Sequence, residues 1–318
     1  MTPRLVFIHG VGKPREATTD LDEWRRALGE GMRAAGHSRL VPPLLDGTSV
    51  DVRFAYYGDL FPGGQAQEAT AHTPQEEEAE LAQMLLDAVD ARLDEPQDDR
   101  EAQVLRRARN QLAPDGEAQG AGDLLRRVLA AGNTLLALPG LRTVGGWTSA
   151  GLMVHRLRQV RQYLARKHPD AAGASLDTRI RDRVRAELDP AGPTLVVAHS
   201  LGTVVAFETL HAHKAPVPLF VTLGSPLGMQ AAVQPRVRPQ PLRTPDQIRA
   251  WLNFWDRDDF VTARPQLERF VAPNAASVAP VSRRVDSDGA WVHPAAKYLA
   301  QPGVAGPIAE ALEAVTPA

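Results

Sequence analysis

The sequence predicts an α/β protein, a mostly parallel sheet with helices on both faces, carrying a helical cap inserted into it. Three observations point there. Apolar runs of four to six residues, too short for helices, are closed by turn residues and alternate with segments of helical period. Strands alternating with helices are the pattern of a buried parallel sheet. Between residues 61 and 170 strand signals vanish, and acidic and basic helical stretches take over. The expected division is therefore a sheet-bearing unit formed by 1–60 and 171–318, with 61–170 as the insertion.

The first strand is Leu5-Val6-Phe7-Ile8, ended by His9-Gly10-Val11-Gly12. Leu21, Trp24, Leu28 and Met32 then recur at helical spacing over Asp20 to Ala35, before Gly36. Val50 to Tyr57 alternates as a second strand. In the insertion, Glu76 to Glu80 precedes Leu81, Met84 and Leu85, and the arginine pairs at 106–107 and 126–127 mark basic helices; such charge runs read as solvated helix faces. Its most apolar part, Leu135 to Leu141, leads past Gly145-Gly146-Trp147 to a helix through Leu152, Leu157, Val160 and Leu164. A segment this apolar must be buried, either as a lid over a pocket mouth hinged at the glycines or within a helical subdomain with its own small core. After the insertion the sequence predicts a helix over Thr178–Leu188 and strands at Thr194–Ala198, Leu219–Leu223, Ile248–Trp255 and Ser277–Val285. A helix continues from Val204 to His211.

Composition excludes several classes. With 318 residues, 43% hydrophobic and 23% charged, the chain is of ordinary globular make-up and long enough for a large core. A net charge of −2 supplies no field for nucleic acid, and no run of about 20 apolar residues suggests a transmembrane helix. Cysteine is absent, so disulfides, thiolate metal sites and cysteine nucleophiles are excluded. Met1-Thr2-Pro3-Arg4 runs straight into the first strand without a signal-like apolar region, and a cytoplasmic location is expected.

The most informative residues are Ala198-His199-Ser200-Leu201-Gly202, which follow a buried strand and precede an apolar helix. That context suits a sharp turn presenting a serine hydroxyl over the sheet edge, with small residues on either side where strand and helix crowd. The free N–H groups at the opening of the helix would face a developing oxyanion. Here the sequence resembles the α/β-hydrolase superfamily, in particular its lipases and esterases, with Ala198 where glycine is commoner. The resemblance implies an oxyanion hole from the N–H groups of Val11, after His9-Gly10, and of Leu201. It also implies the chain order serine, acid, histidine. For the acid, Asn253 to Val261 offers Asp256, Asp258 and Asp259; the family's Asp-Xaa-Val loop selects Asp259, with Asp256 second. For the base, only His211, His213 and His293 follow the serine, and the first two lie too close to it along the chain. His293 remains, before an aromatic, Tyr298.

The expected reaction is cleavage of a small-molecule or lipid-like carboxylic ester through an acyl-enzyme, with no cofactor. The same machinery would serve a thioesterase, acyltransferase or amidase, and a binding protein that kept the fold and lost turnover is the rival from another class. His199 reads as a residue packing or hydrogen-bonding beside the site; Gly224-Ser225-Pro226-Leu227-Gly228 resembles a segment common in lipase-like relatives, with Ser225 as a turn former. Gly10-Val11-Gly12 lacks the third glycine of a dinucleotide loop, Arg15 standing there. His211-Ala212-His213 lacks a third ligand at metal-site spacing and reads as solvated helix histidines.

Overall fold

A computed structural model describes residues 2–11, 17–61, 74–113, 121–138, 150–287 and 293–315. Six strands form one all-parallel sheet: β1 (Arg4–Ile8), β2 (Asp51–Ala55), β3 (Thr194–His199), β4 (Phe220–Leu223), β5 (Trp251–Asp256) and β6 (Pro280–Val285), in the order β2-β1-β3-β4-β5-β6. The described helices are α1 (Ala17–Ala34), α2 (Val41–Asp46), α3 (Pro74–Leu93), α4 (Asp99–Leu112), α5 (Ala121–Leu135), α6 (Ala150–Leu164), α7 (Leu176–Glu187), α8 (Leu201–Leu210), α9 (Ala295–Leu299) and α10 (Pro302–Val315).

Alternation along each strand splits the apolar side chains between two cores. Leu5, Phe7, Leu195, Val197, Val221 and Phe254 face α1, α2, α9 and α10. Val6, Ile8, Val196, Ala198, Phe220 and Trp251 face the other way, toward α3–α8. The central strands are apolar on both sides because both sides are covered, which is why they read as continuous runs. The edge strand β6 keeps Val281 half exposed and turns Arg283 and Arg284 outward, a charged rim of the kind that blunts edge pairing.

The helices α3–α6 share one apolar cluster with β1, β3 and α8, through Leu81, Leu85, Leu105, Val128, Leu135 and Leu157. A buried ion-pair network adds to this. Glu208 of α8 accepts from Tyr163 Oη at 2.6 Å, from Arg166 Nη2 at 2.5 Å and from Arg181 Nη1 at 3.1 Å. Arg166 and Arg181 also grip Asp177 at 2.9 and 3.0 Å. The acidic run is less solvated than the sequence suggests. Glu77 pairs with Arg158 at 3.1 Å and Glu80 with Arg161 at 2.7 Å, tying α3 to α6, whereas Arg106 and Arg107 are exposed. Leu135, Leu136 and Leu138 are buried as expected. Gly12, Leu141, Gly145, Gly146, Trp147 and the side chain of Leu152 lie outside the described residues. Among the described residues no helix is long and apolar enough to cross a membrane.

Candidate active site

The chain passes from β1 outward to β2, then returns across β1 to β3, so strand order reverses between β1 and β3. At such a switch point the loops leaving the carboxyl ends of neighbouring strands diverge and open a crevice. The loop after β1 carries His9 and Gly10; the turn after β3 carries Ser200.

Ser200 adopts φ 52° and ψ −129° between strand and helix, a region costing a non-glycine residue about 1–3 kcal/mol. The turn is held by backbone: the Ser200 N–H donates to Leu223 O at 2.9 Å, and Thr203 donates to Ser200 O from its N–H at 2.9 Å and its hydroxyl at 2.8 Å. Close approach explains the glycines. A Cβ on Gly10 would lie 2.6 Å from Ser200 Cβ, and one on Gly202 would strike the carbonyl oxygens of Ile8 and His9. Only glycine lets the ends of β1 and β3 sit this close to the serine. Leu201 opens α8, so its N–H has no intrahelical acceptor. Val11 follows Gly10 directly and is partly exposed.

Ser200 Oγ lies 3.1 Å from His293 Nε2, and His293 Nδ1 lies 2.8 and 2.9 Å from the two carboxylate oxygens of Asp259. All three residues are buried. Burial opposes ionisation of Asp259, but the His293 ring and hydrogen bonds from His293, Tyr298 and the Val261 N–H outweigh it. The carboxyl is held below its ordinary pKa. An ionised carboxylate only accepts, so Nδ1 carries the proton and Nε2 is left to receive one from the serine. Asp256, the second candidate, instead accepts from the N–H groups of Asp258 at 2.9 Å and Ser287 at 2.7 Å, shaping the turn. Asp258 pairs with Arg92 at 2.8 Å.

Four residues beyond the predicted triad hold this pair; one of them, His199, packs and hydrogen-bonds beside the site as the sequence leads one to expect. Tyr298 donates to Asp259 Oδ2 at 2.7 Å and accepts from the Asp256 N–H at 3.1 Å; burial and the carboxylate push its phenol well up, so it stays a donor. Gly224 has φ 56°, and a Cβ there would lie 2.5 Å from Asp259 Oδ2 and 3.4 Å from His293 Nδ1. His199 donates from Nε2 to His293 O at 2.6 Å; burial, with the neighbouring His293, lowers its pKa to about 3 and keeps the ring neutral. Arg92, at the end of α3, reaches the acid-bearing loop from the helical layer through Arg257 O at 2.6 Å and Asp258. A glycine in a family-like segment and an aromatic after the histidine were the sequence signals for Gly224 and Tyr298.

His9 stacks on Tyr56 and Tyr57, its Nε2 accepting from the Tyr57 N–H at 2.9 Å; burial lowers its pKa to about 4. Ser225 turns the chain, its hydroxyl accepting from the Leu227 N–H at 3.3 Å and bonding Thr203 at 2.7 Å. His211 and His213 depart from the solvated reading: His213 is buried, and the Nε2 atoms of both are shielded without a hydrogen-bond partner among the described residues. Among those residues no group of three or more His, Cys, Asp or Glu is placed to hold a metal ion. Comparison of the chain with protein-family models, curated proteins and solved structures finds no match.

Proposed function

We propose that the protein is a serine hydrolase of the α/β-hydrolase fold that cleaves a carboxylic ester through an acyl-enzyme. The observation carrying this reading is the unbroken hydrogen-bonded chain Asp259–His293–Ser200, ending on a serine in a strained strand-to-helix turn. Topology supports the fold assignment: nucleophile, acid and histidine follow β3, β5 and β6 of a parallel sheet, in the order serine, acid, histidine.

In the proposed reaction Ser200 Oγ attacks the ester carbonyl carbon while His293 Nε2 takes the hydroxyl proton. The oxyanion is met by the N–H groups of Leu201 and Val11, each such donor worth about 3–4 kcal/mol. Collapse of the tetrahedral intermediate breaks the bond to the alkoxy oxygen, which leaves with the proton from His293. Water, deprotonated by the same histidine, then releases the acid and restores Ser200. Asp259 holds the ring and stabilises its charged form throughout. Thioester or amide cleavage and acyl transfer use the same steps with another leaving group or acceptor.

The test is labelling by a fluorophosphonate probe, followed by a screen of p-nitrophenyl esters of increasing chain length. Labelling of the wild-type chain and its loss in Ser200→Ala is the expected result. An unlabelled but folded wild-type chain would favour a binding protein of this fold.

A further inference from the structure

A cavity of about 450 Å³ lies between the last turn of α3, the end of β5 and the segment 259–270. It touches the proposed triad at Asp259 alone; neither Ser200 nor His293 lines it. Its volume is that of a small-molecule site. Five arginines line it: Arg92, Arg257, Arg264, Arg269 and Arg284.

The charged groups left uncommitted are mostly cationic. The bordering carboxylates are Asp94, Glu95 and Asp259. Asp259 is taken by His293 and Tyr298, and Asp94 by Arg264 at 2.5 Å. Arg264 uses one nitrogen for that bond, and Arg284 uses two on Asp286. Arg269 is exposed, and its guanidinium has no hydrogen-bond or ion-pair partner among the described residues. Arg92 spends its three nitrogens on Glu101, Arg257 O and Asp258, and Arg257 spends one on Glu95 O and Glu101. A guanidinium carries five donors and no acceptor, so the donors left over lie chiefly on Arg264, Arg269 and Arg284. Beside them stand three aromatic walls, Trp255, Phe260 and Phe270. Trp255 is partly exposed.

We propose that this cavity is a binding site for an organic anion bearing a carboxylate or phosphate group on a flat ring. The forked guanidinium matches such oxyanions with paired hydrogen bonds, and the aromatic walls take the ring by stacking. A cation would meet Glu95 alone as an uncommitted carboxylate. The site does not depend on hydrolase activity and differs from the ester-cleaving centre.

The test is calorimetric titration of the full chain as Ser200→Ala, so that binding is read without turnover and stands or falls apart from fluorophosphonate labelling. Phenyl phosphate, inorganic phosphate and phenol are the probes. Phenyl phosphate is expected to bind saturably with a dissociation constant below about 1 mM, phosphate about tenfold more weakly and phenol not measurably. Arg269→Glu and Arg284→Glu should each weaken phenyl phosphate about tenfold. Lys214→Glu, the same charge change on the segment after α8 at the other end of the sheet, should alter it less than about twofold. Melting temperatures establish that the variants are folded. Absence of saturable binding, equal binding of phenol, full affinity in both arginine variants, or equal weakening by Lys214→Glu would each overturn the proposal.

Discussion

Ser200 and His293 meet across 3.1 Å, yet opposite kinds of structure hold them. On the serine side the backbone does the holding: a strained turn, hydrogen bonds from Thr203 and to Leu223, and Gly10 and Gly202 pressed against their neighbours. On the histidine side the holding is done by side chains from distant segments: Asp259 after β5, Tyr298 on α9, His199 at the end of β3 and Arg92 on α3. A nucleophile that must keep one position suits a backbone mount. In the proposed reaction the base must accept, carry and return a proton, so its charge needs managing, and polar side chains and burial do that. Changes on the serine side should therefore alter geometry outright, and changes on the histidine side should be graded and depend on pH.

The sharpest break in this comparison is Asp259→Asn. The amide no longer fixes the imidazole tautomer or supports its charge, so fluorophosphonate labelling and ester turnover should fall by about 10³–10⁴-fold with the fold retained. Asp256→Asn should lose far less activity, because that carboxylate bonds backbone N–H groups and not His293. A larger loss in Asp256→Asn would reassign the acid.

Next in size is Gly224→Ala, which joins the two halves. A Cβ at φ 56°, placed 2.5 Å from Asp259 Oδ2, forces the acid and His293 apart while leaving the turn at Ser200 in place. A misplacement near 1 Å costs about 100-fold in such sites, so the labelling rate should drop to that extent. Unchanged labelling would mean that the loop after β4 yields.

Tyr298→Phe removes one donor to the Asp259 carboxylate, and the expected loss at neutral pH is about tenfold, the scale of one hydrogen bond to a charged group. Its pH dependence separates charge management from packing. Losing a bond to the ionised form raises the carboxyl pKa, so the deficit should deepen as pH falls. A deficit constant between about pH 5 and 8 would make Tyr298 a packing residue only.

What the sequence made legible follows the same divide. The turn at Ser200 could be read because strand, serine, small residues and helix are consecutive, and the constraint is local. The sheet could be read because its central strands are buried on both faces, leaving unmistakable apolar runs. Strand ends moved by a few residues: the segment expected at Ile248–Trp255 pairs as Trp251–Asp256, and Ser277–Val285 as Pro280–Val285. The C-terminal helix α10 was not foreseen, although its apolar side closes one core through Val304, Ile308 and Leu312; Pro302, Gly303, Gly306 and Pro307 obscure its period. Least legible were the role of Arg92 and the particular partners of His199 and Gly224. Each acts on a partner about 30 to 170 residues away, and nothing in local pattern encodes which loop a guanidinium or an imidazole will reach.

The last expected effect concerns stability and leaves the chemistry aside. His9 and His199 are held neutral, with pKa values lowered to about 4 and about 3 from an ordinary 6.5, chiefly by burial. Below pH 6.5 the unfolded chain takes up protons at these positions and the folded chain does not. Their contribution to stability is thus complete above pH 6.5 and is lost as pH falls toward the folded values. Each histidine should withdraw up to about 1.4 kcal/mol per pH unit over that window. Melting temperature should decline from pH 6.5 to 4, and His199→Gln, which replaces the titrating ring by an amide able to donate to His293 O, should make that decline shallower by one proton's worth. His9→Gln should flatten it by a similar amount, without moving the labelling rate as far as His199→Gln, since His9 stacks against the tyrosines of the β2 loop while His199 bonds the backbone of His293, the proposed base. A decline equally steep in both variants would place the acid sensitivity in other groups and leave His199 a purely geometric tether.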